Sequence, residues 1–181
     1  MTTNKSLNEY CQRAVAAGAT HALVTKPKRI VTAPWVRWKC QFGCSYHGTS
    51  YCCPPYTPTP EQSRQTFDSY TRAILFHLQW TKGVQRGREI KNYMNNVVDM
   101  ERELFLDGFY RAYAMIAGYC ILCKECALPQ NRPCIFPEKA RPSMEACGID
   151  VFQTARNHDL PLYTVRTEEE TRNIYCLLLV D

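Results

Sequence analysis

The chain has 181 residues, 45% of them hydrophobic, which is enough for one substantial core and makes a single domain over 1–181 the expected organisation. No apolar run approaches the ~20 residues that span a bilayer, and the opening MTTNKSLNEYCQRAVAAG lacks a secretory apolar stretch, so a membrane role is excluded and a cytoplasmic location expected. The formal charge of +5 is modest and dispersed apart from Lys26-Pro27-Lys28-Arg29, which gives nucleic-acid binding little support.

In chain order, Leu7 to Ala17 has helical apolar spacing, with Gly18 placed to end the helix in a left-handed conformation. Short β-prone pieces follow at His21–Thr25 and Arg29–Thr32. From Pro34 to Pro60 the chain is rich in Pro, Gly, Ser, Tyr and Cys without sustained periodicity and reads as an irregular loop. A loop of that length needs help to stay ordered, and a metal would supply it. Thr59-Pro60-Glu61-Gln62 has the pattern of a capping box opening a short helix. Arg72–Trp80 reads as a strand, Arg88–Leu106 as a long amphipathic helix and Tyr110–Gly118 as a second strand. Together they predict a parallel, right-handed βαβ unit. Asp150 and Gln153 mark a further helix to about His158, and Pro161–Val165 with Ile174–Val180 are expected to close the domain as a strand pair. The fold class expected is α+β (or α/β), one mixed sheet around the βαβ unit with flanking helices and two cysteine-rich loops at about 34–60 and 119–142.

Eight of the eleven cysteines lie in those two loops. An odd total cannot pair off completely, and a reducing cytosol turns such a pattern toward metal binding. The run Cys120-x2-Cys123-x2-Cys126 matches the CxxCxxC triple with which bacterial ferredoxins hold three irons of one cubane. Its fourth ligand is either Cys134 or Cys53-Pro54 of the other loop. Structural zinc more often takes two separate CxxC pairs, so iron–sulfur is preferred and zinc kept as the alternative. In the first loop the ligands read as Cys40, Cys44 and Cys53. Adjacent residues point apart in extended chain, so Cys52 and Cys53 are not expected to share one cluster, and Cys52 reads as a small buried hydrophobe. Cys11, Cys147 and Cys176 read as inert buried thiols, although Cys147, following the Cys134 region, has a sequence position from which it would reach a cluster. Lys124, Arg132, Lys139 and Arg141 are candidates to offset the charge of a four-thiolate site.

The stretch from Trp35 through Cys40-x3-Cys44, His47-Gly48 and Cys53-Pro54-Pro55-Tyr56-Thr57-Pro58, with the second run and the tail Arg141-Pro142-Ser143-Met144-Glu145-Ala146-Cys147-Gly148-Ile149-Asp150-Val151, resembles a family of predicted metal-binding proteins, domain of unknown function 2284. The resemblance implies metal binding, most plausibly iron–sulfur, in proteins common among anaerobic prokaryotes, and it supplies no reaction. Cys52 and His47 depart from the family's pattern.

Three functions follow. The first is an electron-transfer or accessory redox protein with one or two [4Fe-4S] clusters and a redox partner protein, its sites shielded by aromatics such as Trp35, Trp38, Tyr51, Tyr56 and Tyr119. The second is an enzyme whose three-cysteine cluster leaves one iron open as Lewis acid for a small-molecule substrate, with Tyr46, His47, Arg141, Ser143 and Glu145 as candidate contacts. The third is a zinc-stabilised protein-binding module. No Ser/His/Asp pattern, P-loop or dinucleotide fingerprint is present, so no catalytic residue is assigned.

Overall fold

The computed structural model describes residues 6–80 and 86–181. Helix α1 (Leu7–Ala16) opens at Ser6, whose amide donates to the Glu9 carboxylate in a capping box. Strand β1 is His21–Thr25. The expected strand at Arg29–Thr32 does not form. Pro27 starts a 3-10 turn to Arg29, and only Thr32 keeps a bridge, to Ile149.

The first third of the supposed irregular loop is instead α2 (Pro34–Gly43). Pro34 occupies its first turn, where the missing N–H would have had no partner anyway, and Val36 is its buried residue. Helix α3 (Pro60–Asp68) starts as expected: the Gln62 amide donates to Thr59 Oγ1 at 3.2 Å, and the Thr59 amide donates to Gln62 Oε1 at 2.8 Å. Then come β2 (Ala73–Trp80), α4 (Arg86–Leu106), β3 (Tyr113–Met115), α5 (Val151–Asn157) and β4 (Arg172–Leu179). Asp150 caps α5 by accepting from the Gln153 amide at 2.9 Å. Pro161–Val165 remains irregular and forms no strand pair, its Pro161 carbonyl accepting from the Tyr175 hydroxyl at 2.6 Å.

The α+β class is as expected, but the strand order is β1-β2-β4-β3 and every ladder is antiparallel. The predicted βαβ unit is therefore split. Strands β2 and β3 run the same way, but β4 lies between them and is antiparallel to both. The apolar run Ile174 to Leu179 explains the insertion, because a strand buried on both faces belongs in the middle of the sheet.

Alternation along β2 and β4 sends side chains to two cores. Ile74, Phe76, Cys176 and Leu178 pack with Tyr10 and Cys11 of α1 and with Tyr93, Val97 and Leu104 of α4. Leu75, Leu177 and Leu179 pack on the other face with Phe67 of α3, Ala155 of α5, and Met144 and Ile149. Among the described residues no helix is long and apolar enough to cross a membrane.

One glycine fixes how the segment after the second cysteine loop meets α3. Gly148 ends the short 3-10 turn Glu145–Cys147 at φ 76°, and a Cβ there would stand 2.5 Å from Pro60 Cγ and 2.9 Å from Pro60 Cα. Gly148→Ala thus combines left-handed strain with a clash against backbone. Urea unfolding is expected to show a loss of about 3 kcal/mol. A loss under about 1 kcal/mol would mean that Pro60 yields freely.

Candidate metal centres

Both cysteine loops meet at one end of the sheet, where β3 leads into the second loop and β4 begins. Cys40 and Cys44 sit at the end of α2, four residues apart and so on one face. The Cys44 amide donates to the Cys40 carbonyl at 3.3 Å. The chain then turns back, with the Cys53 amide donating to the Ser50 carbonyl at 3.0 Å and Gly48 to Pro54 at 2.9 Å. Ser50 Oγ donates to Cys53 Sγ at 3.3 Å. This turn is pinned to the body of the protein rather than left free. The Arg37 guanidinium donates to the Thr57 carbonyl at 2.9 Å and to the Pro58 carbonyl, while Thr57 Oγ1 donates to the Ala146 carbonyl at 2.6 Å.

Cys40, Cys44 and Cys53 border a cavity of about 570 Å³. Burial raises the thiol pKa of Cys40, and the nearby Cys44 and Cys53 sulfurs raise it further. Cys53 is likewise raised by burial first, against a smaller opposing effect of the Ser50 hydroxyl. Three thiolates here repel one another, so a bound cation is what would let all three ionise.

A second cavity, of about 640 Å³, is bordered by Cys52, Cys120, Cys123, Cys126 and Cys134. The Cys52 thiol hydrogen-bonds to Cys120, which holds the Cys120 pKa down to about 6 and pushes that of Cys52 up. The two loops are joined by Tyr51, whose hydroxyl donates to the Arg132 carbonyl at 2.8 Å. Tyr46 and Tyr119 stack at 3.7 Å between ring centroids, 11° from parallel, and line both cavities. The thiols surround volumes rather than a point. Among the described residues no three His, Cys, Asp or Glu side chains close on a single-ion position.

The seven cysteines named from the sequence thus fall into a group of three and a group of four. Cys52 joins the second group, a place the sequence reading missed. The two thiols part at a hydrogen-bonded turn, Ser50 to Cys53, and not by strand alternation, so the chain order gave no direct signal of it. Of the other candidates, Tyr46, Ser143 and Glu145 border the first cavity, whereas His47 lines neither. Ser143 Oγ accepts from the Ala146 amide at 3.0 Å and so also caps the short turn. Arg141 is engaged elsewhere, its Nε 2.7 Å and Nη2 2.5 Å from the Glu101 carboxylate. Lys124 borders the second cavity, so it is placed to offset charge there. Trp35 and Tyr119 line cavities, but Trp38 and Tyr56 are 67% and 54% exposed and shield little.

Cys11, Cys147 and Cys176 are buried in the cores, where burial pushes their thiols up to about 11, 12 and 12. Such thiols are protonated and unreactive at neutral pH. Cys147 borders neither cavity.

No curated protein and no solved structure matches this chain. The profile of one family, described as predicted metal-binding protein, does match, over residues 24–180, which takes in both thiol groups and all four strands but for the first three residues of β1. The chain belongs to this family of predicted metal-binding proteins, DUF2284.

Proposed function

We propose that the protein holds two [4Fe-4S] clusters, one in each thiol-lined cavity, and passes electrons between them and a partner redox protein in the cytoplasm of an anaerobe. The observation that carries this reading is the division of adjacent Cys52 and Cys53 between two cavities, each bordered by several thiols. Soft thiolates suit iron–sulfur clusters, and the CxxCxxC spacing presents three of them to different corners of one cubane. A single zinc ion would need its sulfurs drawn to about 2.3 Å around one point, whereas these sulfurs line volumes wide enough for a polynuclear core.

When bound, a cluster supplies a one-electron couple whose potential depends on charge, exposure and hydrogen bonds to its sulfurs. The chain's own groups act on each of these. Ser50 Oγ donates to Cys53 Sγ, Cys52 to Cys120, and Lys124 brings positive charge to the second cavity. The stacked rings of Tyr46 and Tyr119 border both sites.

Purification without oxygen tests the reading. The expected protein is brown, absorbs broadly near ~400 nm, and contains about eight irons and eight acid-labile sulfides per chain. About four irons would indicate a single cluster assembled from both loops. Colourless protein carrying zinc would replace the proposal with a zinc-stabilised module.

A further inference from the structure

The first cavity has more room and a different lining from what a metal loop alone requires. Three cysteines border it, and among the described residues no histidine and no fourth cysteine does. Its remaining wall is largely apolar, built by Trp35 and Val36 of α2, Phe152 of α5, and Leu162 and Ile174. Three charged residues also border it. Lys39 stands on α2, Asp150 at the N-terminus of α5, and Glu145 is exposed at the rim. About 570 Å³ lies within the range of small-molecule sites, roughly 300–1,000 Å³, and apolar walls with a few polar groups are their usual lining.

We propose that this cavity is a binding site for a small, largely apolar thiol, whose sulfur takes the coordination position that Cys40, Cys44 and Cys53 leave open. The inference rests on the two-cluster reading above. Three thiolates leave one corner of a cubane without a protein ligand, and a fourth donor of the same softness is the best match. Trp35, Phe152 and Leu162 would cover the apolar body of the ligand. Lys39 offsets the charge of an incoming thiolate, while the Asp150 carboxylate is already engaged by the Gln153 amide at the start of α5.

The test uses chain reconstituted under argon and assayed first for iron, then titrated with benzyl mercaptan and, separately, with benzyl alcohol. Electron paramagnetic resonance of the reduced protein is expected to show one of two cluster signals changing saturably with the thiol and neither changing with the alcohol. Trp35→Ala and Phe152→Ala, both at partly exposed positions, are expected to weaken the thiol about tenfold each through lost apolar contact. Trp38→Ala, on the same helix but outside the cavity, should leave affinity unchanged. Eight irons with no thiol response, or a response equally strong in the Trp35 and Phe152 variants, overturns the binding site and leaves the two-cluster reading standing. Iron-free protein overturns both.

Discussion

Cys53→Ser is expected to halve the iron content of protein prepared without oxygen, from about eight to about four irons per chain, whereas Cys52→Ser leaves it near eight. The first cavity is bordered by three cysteines, so removing one leaves two thiolates, too few to retain a cubane. The second is bordered by five, so losing Cys52 still leaves Cys120, Cys123, Cys126 and Cys134. Cys52→Ser should nevertheless be visible spectroscopically, because its thiol contacts Cys120 and hydrogen bonds to cluster sulfurs set potential. Replacing Cys120, Cys123 and Cys126 together by Ser is the complementary control: it leaves two thiols at the second cavity and should lose the other half of the iron. If Cys52→Ser halves the iron and Cys53→Ser does not, the two adjacent residues have exchanged sites and the assignment is reversed.

Glu101→Ala is expected to cost about 3–5 kcal/mol in urea unfolding, the largest stability effect predicted for a single side chain in this protein. Glu101 of α4 accepts from Arg141 at 2.5 and 2.7 Å and from the backbone amide of Ala114 in the β3 strand at 2.7 Å. The two side chains are only 12% and 13% exposed. Deleting the carboxylate would strand a largely buried guanidinium and leave a buried N–H without its acceptor. Because Arg141 closes the second cysteine loop, that loop would lose its anchor to α4 as well. The double change Glu101→Leu with Arg141→Met should recover much of the loss, since it removes both charges together. A single-variant cost under about 1 kcal/mol would show that the pair behaves like an exposed ion pair.

Much of the local structure was legible in the sequence because it is decided within a few residues. The capping box at Thr59, the Asp150 cap, and the strands at His21–Thr25 and Ala73–Trp80 follow from short-range chemistry and appear in the structure. The helix at Pro34–Gly43 was hidden. Its aromatic and cysteine content reads as loop, and what makes it helical is Val36 packing inward and Arg37 gripping the turn from Thr57 to Pro58. Arg141 likewise read as a free cation, since nothing in the chain order announces a partner forty residues earlier.

The sequence by itself determined the chemistry: eleven thiols, eight of them in two segments, and a triple whose spacing suits a cubane. Only the tertiary structure decided how those thiols are shared out. Pairing β4 between β2 and β3 brings both loops to one end of the sheet, and the turn ending at Cys53 then sends neighbouring side chains to two cavities that share the Tyr46–Tyr119 stack as a border. Spacing along a chain fixes which donors are close within a loop, but strand order is set by which apolar faces can be buried together, and that is a property of the whole core.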